Sequence, residues 1–65
     1  MDYSLFDMVV LVEDMPEAGL RAGMKGVIIE IYSQPVEGYE IEFCDDQGRT
    51  VVQLALSPEQ FQLVE

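Results

Sequence analysis

"PEAGLRAGMKG", residues 16–26, decides how this chain is read. It holds three of the five glycines and two of the three basic residues, Arg21 and Lys25. A glycine-rich, basic segment raises the question of a phosphate-cradling loop. A dinucleotide fingerprint needs G-x-G-x-x-G between a strand and a helix. The spacing here is G-x-x-x-G-x-x-G, and the apolar run that follows is β-branched. A P-loop needs a Ser or Thr after its lysine and a helix N-terminus aimed at the anion. Lys25 is followed by Gly26. Both phosphate readings fail on spacing and on context. The segment reads instead as a corner. Gly19 and Gly23 supply positive φ angles in a loop, and Gly26 at the head of a strand suits a bulge or a close backbone approach. Leu20 and Met24 are expected to tuck the loop onto the core, and Arg21 and Lys25 to pair with neighbouring acids.

On both sides of that corner the chain alternates with the period of strands. "MVVLV" (8–12) is a β-branched run bounded by acids. "GVIIEIY" (26–32) predicts a strand with Val27, Ile29 and Ile31 inward and Ile28, Glu30 and Tyr32 outward. "YEIEF" (39–43) places Tyr39, Ile41 and Phe43 inward, Glu40 and Glu42 outward. "TVVQLAL" (50–56) sets Val52, Leu54 and Leu56 on one face and Val51, Gln53 and Ala55 on the other. "FQLVE" (61–65) closes the chain, with Phe61 and Leu63 on one face. "SQPVEG" and "DDQG" are turns, and Gly48 suits the left-handed position of a hairpin. "SPEQ" (57–60) has Ser as N-cap, Pro at the first helical position and Gln three residues on, a capping box with room for one helical turn.

This order predicts an all-β fold in one domain, 1–65. It is a small five-stranded SH3-like half-open barrel, with a long first loop and one 3₁₀ turn before the last strand. Closing a sheet on itself suits a short chain, because it shields most edges. A chain of this size buries only about 60% of the surface its unfolded form exposes. Its 49% hydrophobic content is therefore needed, since Cys44 is the lone cysteine and no disulfide framework assists.

"AGLRAGMKGVIIEI" (18–31) resembles the glycine turn and strand of SH3-like barrels in ribosomal and transcription-factor proteins. The chain as a whole is similar to a family of short stand-alone bacterial domains of unknown function, often cyanobacterial. The matching pieces are "LFDMVVLVEDMPEAGLRAGMKGVI", "YEIEF" followed by D-x-x-GRT, and a late L-x-L. The resemblance implies the barrel and no particular activity. Some family members are encoded beside toxin-like proteins, which points toward an inhibitor-like role.

Thirteen Asp and Glu oppose three Lys and Arg, a formal net charge of −10. Nucleic-acid binding draws its affinity from cations set against phosphates, and three cations form no basic stripe. An anionic membrane surface is disfavoured for the same reason. A more basic protein would be attracted and steered. No targeting segment is expected from the acidic start "MDYSLFD", and the single thiol fits a reducing, cytoplasmic setting.

Catalytic chemistry is not expected. Histidine is absent, which removes the usual general base and the commonest metal ligand. Cys44 lies beside Asp45 and Asp46, the wrong neighbours for a thiolate nucleophile. Asp45 and Asp46 lack the spacing of a calcium loop and read as a turn. Glu40 and Glu42 project from a strand with no partner base. No cofactor and no metal are expected. What remains is surface. The predicted outer face carries Ile28, Tyr32, Val51 and Ala55 among Glu30, Glu40, Glu42 and Gln53. Apolar residues ringed by acid suit docking of a basic protein. The reading is a non-catalytic protein-binding module, an acidic antitoxin-like or inhibitor-like partner of a more basic protein. Its partner-binding residues are Ile28, Glu30, Tyr32, Glu40, Glu42 and Gln53. The alternative is a self-assembling homo-oligomer built through the same face or a strand edge; a nucleic-acid-associated barrel domain, like the ribosomal proteins it resembles, is a third reading that the charge disfavours.

Overall fold

A computed structural model describes residues 3–64. Five antiparallel strands form one sheet: β1 (Met8–Leu11), β2 (Lys25–Tyr32), β3 (Gly38–Cys44), β4 (Thr50–Leu56) and β5 (Phe61–Leu63). Their order in the sheet is β4-β3-β2-β1-β5. The chain is all-β, as the alternation predicts. One 3₁₀ turn (Pro58–Gln60) precedes the last strand, and a second (Pro16–Ala18) lies in the first loop. No ladder joins β4 to β5, so among the described residues the sheet is open, with those strands as its edges. Glu65, the expected end of the last strand, lies outside the described residues.

The glycine segment is a corner. Gly19 and Gly23 take φ of 74° and 95°, values that side chains resist. Gly19 closes the first 3₁₀ turn, its N–H donating to the Pro16 carbonyl at 3.0 Å. Met15 and Leu20 then exchange backbone hydrogen bonds of 2.9 and 3.0 Å, which folds the loop on itself. That turn drops Leu20 into full burial, with Met24 packed beside it. The loop is also tied down at its base. The Gly23 N–H donates to Leu11 and the Leu11 N–H to Met24, at 2.7 and 2.9 Å.

Gly26 shows why the second residue of β2 is glycine. A Cβ there would lie 2.7 Å from Ile41 Cγ2 and 2.9 Å from the Glu42 carbonyl. The strand can approach β3 only because that atom is missing.

The core consists of Val9, Leu11, Leu20, Ile28, Tyr39, Ile41, Phe43, Leu56 and Phe61. β3 obeys its predicted phase: Tyr39, Ile41 and Phe43 are buried. β4 obeys too, with Leu56 buried and Val52 and Leu54 packed against the core. β2 does not. Ile28 is 0% exposed, and its partner across the ladder is the buried Ile41. The cause is a β-bulge: Ile28 pairs Ile41, Glu30 pairs Glu40, and Ile29 is the extra residue between them. One extra residue inverts the phase. Before the bulge, Gly26 and Ile28 face inward. After it, Glu30 and Tyr32 face outward, as the alternation predicts.

Tyr3, which no strand pattern selects, joins the core from outside the sheet. Its ring lies 5.3 Å from Tyr39 and 4.8 Å from Phe61, and those two rings lie 5.5 Å apart. Such contacts contribute about 0.5–1.5 kcal/mol each beyond area burial. At the second 3₁₀ turn, the Gln60 side chain accepts from the Ser57 N–H at 2.9 Å and from its hydroxyl at 3.1 Å. This is the reach-back half of the predicted capping box. No helix among the described residues is long and apolar enough to cross a membrane.

Candidate protein-docking face

The ladder registers build the outer face. Opposite pairs run Met8–Val27–Glu42–Gln53 across β1 to β4, and Glu30–Glu40–Ala55 across β2 to β4. Successive side chains alternate faces, so these two rows stand on the surface opposite the core. Five of the six expected partner-binding residues meet there: Glu30, Tyr32, Glu40, Glu42 and Gln53. Ile28 does not. It belongs to the core, because the bulge turns it inward. The outer position two residues before the bulged Ile29 falls instead to Val27, half-buried opposite Glu42.

Three carboxylates stand close together on this face, and side chains hold two of them. Glu40 accepts from the Tyr32 hydroxyl at 3.3 Å and from Gln53 Nε2 at 3.2 Å. Glu42 accepts from the Thr50 hydroxyl at 2.7 Å. Glu30 stands directly opposite Glu40. The Tyr32 phenol is raised above its ordinary value by desolvation, then by the negative charge of Glu40 and their hydrogen bond, and by Glu30. Tyr32 therefore stays a neutral donor across the physiological range. Tyr32 is 40% exposed, an aromatic residue beside fixed negative charge. That combination suits a basic side chain, which an aromatic face and a carboxylate both attract. Thr50 was not expected here. Its place near the turn hides it from alternation, although a hydroxyl near an outward Glu on the neighbouring strand is a pairing that sheets favour.

The remaining charges are placed differently. The expected pairing of Arg21 and Lys25 with acids is not found: neither makes an ion pair among the described residues. They line an open cleft of about 490 Å³ with Gly23, Met24, Cys44, Asp45 and Asp46. Asp45 is instead bound by its own turn. Its carboxylate accepts from the backbone N–H groups of Gln47 and Arg49, both at 2.9 Å, and from Arg49 Nε at 3.0 Å. Those bonds, Arg49's backbone first, hold its carboxyl below the usual range. Gly48 completes the turn at φ 81°. Cys44 is a half-buried free thiol. Among the described residues no three metal-ligating side chains converge.

No curated protein and no solved structure matches the chain. The family model described as Domain of unknown function (DUF4926) matches residues 5–63, nearly the whole length, and the chain belongs to that family.

Proposed function

We propose that this domain is a non-catalytic protein-binding module whose acidic outer face docks a more basic protein, in the manner of an inhibitor or antitoxin. The carrying observation is the placement of Glu30 and Glu40 beside the exposed Tyr32, with Glu42 next along the same face of β3. The net charge of −10 supports the same reading, since it steers a basic partner toward the domain. We take the sheet as an SH3-like half-open barrel, supported by its strand order and by the 3₁₀ turn before β5. The open β4 edge favours a second reading, self-assembly by strand pairing.

The test is a tagged pull-down from the source lysate at low and high salt, run beside a triple variant, Glu30→Gln, Glu40→Gln and Glu42→Gln. One stoichiometric basic protein, lost at high salt and lost in the variant, supports the proposal. Capture unaffected by either change contradicts it.

A further inference from the structure

The two edges of the sheet differ in kind. β5 is three residues long, a short edge of the sort that limits unwanted pairing. β4 is seven residues long and pairs only with β3 among the described residues. A bulge at Val51 interrupts its start, where Phe43 pairs Val52 but Cys44 pairs Thr50. Beyond that bulge, Val52–Leu56 carries no charge and no proline, two devices by which proteins commonly blunt an edge. Every second residue of such an edge turns its N–H and C=O away from β3, where an added strand can take them up.

The surroundings select the occupant. Gln53 lies opposite Glu42, and Ala55 lies opposite Glu40. A strand added beside β4 would stand two strand spacings from β3, about 10 Å. At Ala55 the side chain opposite Glu40 is a methyl group, so a long cationic side chain on the added strand can pass over it toward Glu40, whose Oε2 the neighbouring Gln53 amide already meets at 3.2 Å. A second copy of this chain would bring another net charge of −10 to the same edge. A basic segment brings the complement.

We propose that β4 takes up an extended segment of the partner as an additional strand, with lysine or arginine at every second position directed toward Glu40 and Glu42. This rests on the reading of the outer face as a docking site for a basic protein, and it adds the partner's conformation and its charge spacing.

The probe is a short peptide alternating lysine and threonine, titrated into the intact chain at low salt. Two further peptides carry N-methyl groups on either all the lysine amides or all the threonine amides. Charge is the same in all three. In a paired strand one set of amides points at β4 and the other at solvent. We expect one methylated peptide to bind about tenfold weaker or worse, as two or three net hydrogen bonds are lost. The other should bind like the parent, and β4 amides should gain protection from hydrogen exchange. Equal binding by all three peptides would overturn the edge pairing while leaving the acidic face as a docking site. Failure of all three to bind would overturn both. A dimer of the free chain with its β4 amides already protected would assign the edge to a second copy and overturn the proposal.

Discussion

Glu30 stands directly opposite Glu40 in the β2–β3 ladder, immediately past the bulge at Ile29. Like charges facing each other across strands are destabilising. A chain shaped by folding alone gains from replacing one of them. Glu30→Lys converts the repulsion to an attraction and should raise stability by about 0.2–1 kcal/mol at low salt. Thermal unfolding followed by circular dichroism reads the change. Under the proposed function the same substitution weakens binding of a basic partner, so stability and binding should move in opposite directions.

Gly26→Ala tests the close approach of β2 to β3. The new methyl would meet Ile41 Cγ2 at 2.7 Å, the Glu42 carbonyl at 2.9 Å and Phe43 Cδ1 at 3.0 Å. The carbonyl belongs to the ladder and cannot swing aside as a side chain can. Overpacking of this kind costs about 1–3 kcal/mol. Chemical denaturation should show a lower midpoint. An unchanged midpoint would mean that the two strands have room to separate.

Ile28→Ala distinguishes the two phases of β2. At a fully buried position opposite Ile41 it should cost about 2–5 kcal/mol. Val51→Ala, at a 47% exposed position, should stay within about 0.5 kcal/mol. Comparable, small losses in both would return Ile28 to the outer face.

Asp45→Asn probes the turn between β3 and β4. The Asp45 pKa is depressed in the folded chain, chiefly by the Arg49 backbone N–H. A depressed carboxyl contributes stability above its unfolded pKa, about 3.9, and loses it as pH falls through the folded value. The variant should therefore unfold at a lower temperature than the parent at neutral pH. The gap should begin to shrink as pH falls below about 4, the unfolded value, and close only below the depressed folded value, where the folded parent's carboxyl is protonated and neutral like the amide. Melting curves across that range give the answer. A gap that persists at low pH would assign the effect to geometry rather than charge.

The fold was legible where alternation was strict. Tyr39–Phe43 admits one phase, and so do the turns at Gly48 and Ser57–Gln60, each with its own chemistry. Val27–Ile29 was not legible in the same way. Three consecutive β-branched residues fit either face, and a bulge leaves no mark in a run without polar residues. The error spread to the site, since Ile28 entered the outer face only through that phase. Glu30 and Tyr32 escaped it because they follow the bulge. Tyr3 was missed for another reason: its partners, Tyr39 and Phe61, are distant in sequence and no period links them. Arg21 and Lys25 were expected to pair because acids are abundant, but abundance sets no geometry. Arg49 pairs because a tight turn places it beside Asp45.

The central claim is that the outer carboxylates carry recognition of a basic protein. Its most direct test is a calorimetric titration of that captured protein into the wild-type chain and into the Glu30→Gln, Glu40→Gln, Glu42→Gln variant, at low and high salt. The account predicts that wild-type affinity falls steeply with salt and that the variant binds at least about tenfold weaker at low salt. Equal affinity of the two chains at low salt would contradict it.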